Sequence, residues 1–448
     1  MPCIFLPTPY RLTLRLLPLT LALGVGFSAS ASAQSLMDMY TAARGYDASY
    51  QSAKSLFDAT LAKAEQSKAL LLPTIGLSAA VSRTHQDVAP SRESAFGSQS
   101  ATLALSQPLY SPVNFSLYEQ SQKQYALAQA QRTAAEQDLM VRVSQAYFDV
   151  LASADSLAFV KSQKTAVSEQ LAFAKRNFEV GTSTITDTRE AQARFDLVVA
   201  QELAADNDLL VKTLALTQLV GLPQARPKTL LAPIVAKPLE PADVNPWVDQ
   251  ALINNPGVQQ LQIALEVAKL ETSKAEAGHK PTLDLTGGYT VANNNGTATT
   301  LGDTRVNQAQ IGITFKLPLF AGFAIQNRVK ETLALEDKAR SDLEATQRTI
   351  AQSTRTAFYG VQSLQAQVKA FEAAEASSQS ALDANKLGYQ VGVRINIDVL
   401  NSQSQLFDTK AKLAKARYDV LMGGLKLRQA AGTLKPDDLQ AVNAQLVQ

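Results

Sequence analysis

Long helical patterns and short pairs of strand patterns alternate along the chain, and the sequence of patterns occurs twice. Apolar residues three and four positions apart run through residues 113–178 and 324–389, a spacing typical of coiled coils. The 66 residues of the first stretch, at about 1.5 Å each, predict a helix roughly 100 Å long. Apolar residues that alternate with small or polar ones predict four strands, at about 73–86, 98–110, 281–293 and 306–319.

Each long helical pattern ends at a glycine and is followed by a second helical pattern. The two turns are Val180-Gly181-Thr182 and Val391-Gly392-Val393. Glycine tolerates the left-handed backbone conformation that commonly ends helices. An aspartate stands six residues after the glycine in both turns, as Asp187 and Asp398. The sequence therefore predicts two long helical hairpins with related turns.

The two halves of the chain are related by a nearly constant offset. Gly392 follows Gly181, and Asp398 follows Asp187, by 211 residues. Such an offset indicates tandem duplication, which predicts repeats at 34–221 and 247–432, a proline-rich linker at 222–246 and a polar tail at 433–448. Trp247 is the only tryptophan, and a lone tryptophan beside such a linker is expected to be a packing anchor.

The first 33 residues have the pattern of a secretory signal. Arg11 and Arg15 precede the apolar run Leu16–Phe27, and Ala31-Ser32-Ala33 resembles a cleavage site. The run is shorter than the ~20 residues of a membrane-spanning helix, which disfavours the alternative of a retained anchor. The chain has 42 basic and 40 acidic residues, so removal of this segment leaves no net charge. Such a balance argues against a nucleic-acid partner.

The four strand patterns are long enough to cross a membrane as part of a β-barrel, which needs ~9–11 residues per strand. A soluble sheet with one solvated face is the alternative. Four strands cannot close a barrel, and open edges are not tolerated in lipid. Two, three or four chains would have to pool eight, twelve or sixteen strands, and this reasoning does not choose among them. The helices would then continue the barrel as a water-filled tube. The predicted fold class is mixed α+β, mainly α.

Four parts of the sequence have specific motifs: Gly278–Thr286, Lys316–Gly322, Phe178–Gly181 with Ile185–Asp187, and Gly388–Arg394 with Ile397–Leu400. These motifs resemble those of the TolC-like outer-membrane efflux and secretion channels. The resemblance implies a homotrimer with a shared twelve-stranded barrel in outer-membrane lipid and a coiled-coil tunnel in the periplasm. It also implies a periplasmic adaptor and an inner-membrane transporter as partners, and the role of exit duct in efflux or type I secretion.

The resemblance also implies roles for individual residues at the turns. Tyr389 and Arg394 would bond to Asp187 and to the region of Thr186, and so hold the tunnel shut, with Asp398 forming a ring of carboxylates. A second acidic ring is common one turn later, where this chain has Asn401, so we expect a less negative entrance. From the residues alone, Arg394 and Asp398 could equally be an ordinary surface pair. The residues expected to dock the adaptor are Val180, Gly181, Thr182, Val391, Gly392 and Val393.

Other functional classes have less support in the sequence. Beyond the predicted signal the histidines are His85 and His279 and there is no cysteine, and we find no phosphate loop, metal cluster or nucleophile elbow. We therefore expect neither an enzyme nor a cofactor. A soluble periplasmic coiled-coil adaptor is the main alternative, but it would lack the two strand pairs. A passive porin would have short periplasmic turns rather than long hairpins.

Overall fold

The structure, a computed structural model, describes residues 34–88, 92–229, 238–296 and 302–444. The predicted secretory signal lies outside these residues, as do part of the predicted linker and the last four residues of the tail. In chain order the helices and strands are α1 Leu36–Tyr46, α2 Ala48–Lys68, β1 Thr74–Val88, β2 Arg92–Tyr110, α3 Pro112–Glu179, α4 Ile185–Val220, α5 Val244–Asn254, α6 Pro256–Ala277, β3 Thr282–Asn295, β4 Asp303–Lys316, α7 Ala324–Gln390, α8 Asn396–Ala430 and α9 Pro436–Asn443.

The strands form one antiparallel sheet in the order β1-β2-β3-β4 within the described residues. β2 is longer than predicted, and a bulge between Pro108 and Tyr110 accommodates the proline. β4 ends at Lys316 instead of 319, because Pro318 has no N–H to donate to a ladder. Alternate apolar side chains, including Leu77 and Ile311, are exposed on one protomer. The sheet thus presents an apolar face and two edge strands, β1 and β4.

The helices form two long hairpins. α3 packs along α4, and α7 packs along α8. In the half of the molecule nearer the sheet, α2 packs on α3, and α6 packs on both α3 and α7. The 68 residues of α3 correspond to about 100 Å of helix. Apolar residues at coiled-coil spacing are buried, three and four positions apart on α3 and seven apart on α8: Met140, Val143, Tyr147, Val150 and Leu157 on α3, and Val399, Leu406, Leu413, Val420 and Leu427 on α8.

Two helical stretches that precede the strand pairs, α1–α2 and α5–α6, are each broken once. Asp47 separates α1 from α2: its carboxylate accepts from the Tyr50 N–H at 2.8 Å and pairs with Arg142 at 2.9 Å. Asn255 separates α5 from α6: its side chain accepts from the Gly257 N–H at 2.8 Å and donates to the Ala430 carbonyl at 2.9 Å. Each break occurs at an N-cap residue, whose side chain competes with the continuing helix for backbone hydrogen bonds. The spacing of apolar residues does not reveal such a cap.

The described part of the polar tail predicted at 433–448 packs against the rest of the molecule. α9 forms there, and Leu434, Leu439 and Val442 are buried in the same apolar cluster as Leu36 and Met39 of α1. The tail becomes helical because its few apolar residues cover the apolar face of α1.

The packing role predicted for Trp247 is confirmed. The indole is buried against Phe358 and Leu427, and its Nε1–H donates to the carbonyl oxygen of Pro241 at 2.9 Å. The tryptophan therefore joins the segment before α5 to the second hairpin, α7–α8.

Candidate functional site at the hairpin turns

Both hairpin turns have the predicted glycine geometry. Gly181 and Gly392 have φ of 76° and 81°, a region that side chains rarely adopt. In the second turn the N–H of Val393 donates to the carbonyl oxygen of Gly388 at 2.9 Å. A Cβ at Gly388 would lie 2.6 Å from the Cγ of Arg394. The aliphatic part of the Arg394 side chain therefore packs on α7 at a residue that has no side chain. Gly388 therefore sets the path of Arg394.

The residues expected to dock an adaptor lie at two exposed tips. Val180 is 72% exposed at the first turn, and Val391 and Val393 are 65% and 76% exposed at the second. Thr182, Gly181 and Gly392 are exposed as well. Small and apolar side chains at both tips permit close approach by another protein, and their docking role stays a prediction.

The matching aspartates of the two turns are used differently. Asp187 is part of a capping box: its Oδ2 accepts from the Thr184 N–H at 3.0 Å and hydroxyl at 2.8 Å, and its N–H donates to the Thr184 hydroxyl at 3.2 Å. The N-cap of α8 is Ile395, which cannot form such a cap. The Asp398 carboxylate instead lies 3.7 Å from the Arg394 guanidinium. The N-cap is Thr184 in the first repeat and Ile395 in the second. Because isoleucine cannot bond to it, the Asp398 carboxylate takes no part in a capping box.

Restoring the missing cap is expected to stabilise the start of α8. Ile395→Thr should allow Asp398 to complete a capping box and stabilise the first turn by about 1 kcal/mol. Hydrogen exchange of the first amides of α8 should slow by roughly fivefold. Thr184→Ala is the reciprocal variant, and it should speed exchange at the start of α4. Unchanged exchange in both variants would show that side-chain caps do not set tip stability.

Tyr389 does not make the expected bond to Asp187 within one protomer. Its hydroxyl bonds to the Asn177 side chain, and its ring packs edge-to-face on Phe173 with centroids 5.9 Å apart. Burial raises the pKa of the Tyr389 hydroxyl; the hydrogen bond to Asn177 opposes this rise, and the charge of Asp187 adds to it. The physical reason for the difference is that the Asp187 carboxylate caps α4.

Arg394 also departs from the expected pairing. Within one protomer its described ion pair is with Asp398, and Thr186 is exposed beside the first turn. Among the predicted gate residues, Tyr389 therefore contacts the first hairpin, and Arg394 pairs with Asp398. It does not bond either Tyr389 or Arg394 to Asp187 within one chain.

Three residues that the sequence analysis did not single out make polar links between the hairpins near the turns. Asn396 is fully buried, and its Oδ1 accepts from the Nε2 of Gln170 at 2.5 Å. Arg194 donates to the Oδ1 of Asn401 at 2.6 Å. Asn396 follows Ile185 by 211 residues, so a comparison of the two repeats would have shown a polar residue in place of an apolar one. No pattern in the sequence marks the partners Gln170 and Arg194 in this way.

Two kinds of feature are absent from the described ranges. No cluster of three or more His, Cys, Asp or Glu side chains has an arrangement that could hold a metal ion, among residues 34–88, 92–229, 238–296 and 302–444. In the same ranges, none of the helices combines the length and apolar character needed to cross a membrane.

Comparison with known proteins gives matches along almost the whole chain. The sequence model of the family described as "Outer membrane efflux protein" matches residues 39–222 and 247–433. The chain is 35% identical to "Outer membrane protein TolC" of Vibrio cholerae, over 92% of this chain and 94% of that protein. It is 31% identical to "Alkaline protease secretion protein AprF" of Pseudomonas aeruginosa, over 93% and 88% of the two chains.

Solved structures agree with the fold. The outer membrane protein VceC from Vibrio cholerae superposes with a TM-score of 0.74 at 18% identity, covering 89% of this chain and 96% of that one. A membrane protein from Pseudomonas aeruginosa superposes with a TM-score of 0.79 at 21% identity, covering 90% and 92%. At these identities the likeness concerns the fold alone.

Proposed function

Because this chain belongs to the outer membrane efflux protein family, we propose that three copies of it form one duct that is gated at the hairpin turns. The protein is an outer-membrane exit duct for efflux or type I secretion, with its helical tunnel in the periplasm. Channels of this family act in tripartite systems with an adaptor and an inner-membrane transporter. The observation that carries the proposal is a four-stranded apolar-faced sheet that is incomplete in one protomer.

The sheet supports assembly because its two edges have no neighbour among the described residues of one chain. β1 pairs only with β2, and β4 only with β3. Inside a membrane, unpaired backbone groups have no water to bond to, so β1 of one copy must pair with β4 of the next. Closure alone permits two, three or four copies, and the family resemblance favours three, with twelve strands. Exposed Leu77 and Ile311 also oppose the alternative of a soluble adaptor.

The hairpins support a gate at the end of the tunnel far from the sheet. In each copy the second hairpin, α7–α8, lies against the first hairpin, α3–α4, and Tyr389 contacts Asn177 where the two meet near the turns. Opening is a realignment of the second hairpin that separates these contacts. The tips that contain Val180 and Val391 are the surfaces proposed for adaptor docking, and an adaptor that bound the open arrangement more tightly would shift the population towards it.

Conductance tests the gate. Arg394→Ala combined with Tyr389→Phe removes the Asn177 bond and the guanidinium at the constriction, so conductance across a planar lipid bilayer should rise. Loss of interactions worth about 1.4 kcal/mol corresponds to a roughly tenfold larger open population. Arg340→Ala is the control, because Arg340 pairs with Glu336 and Asp337 of the same helix, α7, about fifty residues before the turn. Equal conductance of the double variant and the unmodified protein would contradict a gate at these residues.

A further inference from the structure

We propose that Gln170 and Asn396 are positioning residues of the closed gate. Their hydrogen bond, here called the amide bridge, fixes the start of α8 against α3 of the same chain. The inference rests on the proposed function, because it names the contact that sets the closed position of the second hairpin.

The geometry places both polar atoms of the Asn396 amide on the first hairpin. Its Oδ1 accepts from the Nε2 of Gln170 on α3 at 2.5 Å, and its Nδ2 donates to the backbone carbonyl of Asp187 on α4 at 3.4 Å. Asn396 is the first residue of α8 and is 0% exposed. A single side chain therefore connects the moving end of one hairpin to both helices of the other.

The surroundings of the amide bridge make a polar residue costly unless it is bonded. Leu400, one turn further along α8, is buried in an apolar cluster with Val167 and Leu171 of α3. A buried amide without partners is strongly disfavoured in such a place. In the first repeat the matching position is Ile185, which is 49% exposed. Of these two matching positions, the more buried one thus has the polar residue. Packing alone would favour an apolar side chain there, so it does not explain Asn396.

Reversible opening does explain it. When α8 moves away from α3, an isoleucine at 396 would expose apolar surface, whereas the amides of Asn396 and Gln170 exchange their mutual bond for bonds to water. The amide bridge therefore holds α8 at one position on α3 in the closed state, and its two amides remain hydrogen-bonded when α8 moves away. The bond of Arg194 to Asn401, at 2.6 Å on the next turn of α8, has the same property on the α4 side.

The test compares the bilayer conductance of variants purified as assembled protein. In the closed state Asn396→Ala leaves the Gln170 amide without its partner and creates a small cavity, and in the open state water satisfies Gln170. The open population should rise by at least about tenfold. Gln170→Ala should have a similar effect, and the double variant should exceed neither single variant by much, because both remove one bond.

Asn385→Ala is the matched control. Asn385 donates to the Ser402 hydroxyl at 2.5 Å, so the same substitution removes an amide bond inside the second hairpin instead of one between hairpins. Its conductance should equal that of the unmodified protein. If Asn385→Ala and Asn396→Ala raised conductance equally, general loosening would be responsible and the proposal would be overturned.

A second experiment uses a bond that can be formed and broken. The only cysteine of the sequence is Cys3, so Gln170→Cys with Asn396→Cys introduces a pair with no competitor after residue 33. Oxidative cross-linking of this pair should hold conductance at the closed level in the Arg394→Ala, Tyr389→Phe background, and reduction should release it. This arm also covers the case in which Asn396→Ala does not assemble.

The outcomes separate the two proposals. A conducting, assembled protein whose conductance is unaffected by Asn396→Ala, Gln170→Ala and the cross-link would overturn the amide bridge and leave the duct intact. An unmodified protein that forms no pore would overturn the duct itself.

Discussion

Leu77→Arg is expected to prevent assembly in the outer membrane, whereas Ser78→Arg, one residue further along β1, should assemble. The Leu77 side chain is 77% exposed on one protomer and alternates with Ser78 across the strand. In a barrel of pooled strands Leu77 faces lipid and Ser78 faces the lumen. An arginine on the lipid face near the middle of the bilayer costs about 2–4 kcal/mol, and the cost recurs in every copy.

The two variants form a matched pair because charge, size and depth are the same and only the face differs. The amount of assembled protein in isolated outer membranes should fall strongly for Leu77→Arg and stay near normal for Ser78→Arg. In bilayers Ser78→Arg should also reduce the preference for cations, since it adds positive charge to the lumen. Equal assembly of both variants would contradict the assignment of faces.

Gly432→Ala is expected to destabilise the middle of the molecule, where α8 ends. Gly432 has φ of 71°, and a Cβ there would lie 2.4 Å from the backbone carbon and oxygen of Asn254. The left-handed conformation costs an alanine about 1–2 kcal/mol. The clash is with backbone and not with a movable side chain, which adds about 1–3 kcal/mol. The substitution therefore separates the end of α8 from the junction of α5 and α6.

Gly424→Ala is the control for this prediction. Gly424 lies inside α8, and a Cβ there would meet nothing within 4 Å. Alanine is a better helix former than glycine by up to about 1 kcal/mol. Thermal unfolding followed by circular dichroism should give a lower Tm for Gly432→Ala and an equal or higher Tm for Gly424→Ala. A lower Tm for both would mean that the close contact at Asn254 does not matter.

The features that the sequence predicts well are local and repeated. The glycines at 181 and 392 end helices through their own backbone preference, and the structure gives both a positive φ. The heptad positions from Val399 to Leu427 follow from the helical period, and they are buried. Alternation along the strands likewise requires no knowledge of distant residues. These signals are enough for the hairpins and the strands, whereas the class of protein came from the resemblance to a known family.

The features that the sequence does not predict depend on residues far apart in the chain. The amide bridge joins residues 226 positions apart, and α9 becomes helical because of an apolar face on α1. Within one chain Asp187 does not form the expected bonds to Tyr389 and Arg394, because the Thr184 cap, a local competitor, occupies its carboxylate. Threonine and isoleucine at matching positions of the repeats carried that information, and reading it requires comparing the two turns residue by residue.

The central claim is that one protomer holds an unfinished sheet and that several copies complete a single conduit. The most direct test is the mass of the detergent-solubilised protein, measured by native mass spectrometry, with bilayer conductance of the same sample. The account predicts a complex of three chains that forms a pore. A stable monomer that forms no pore would contradict it.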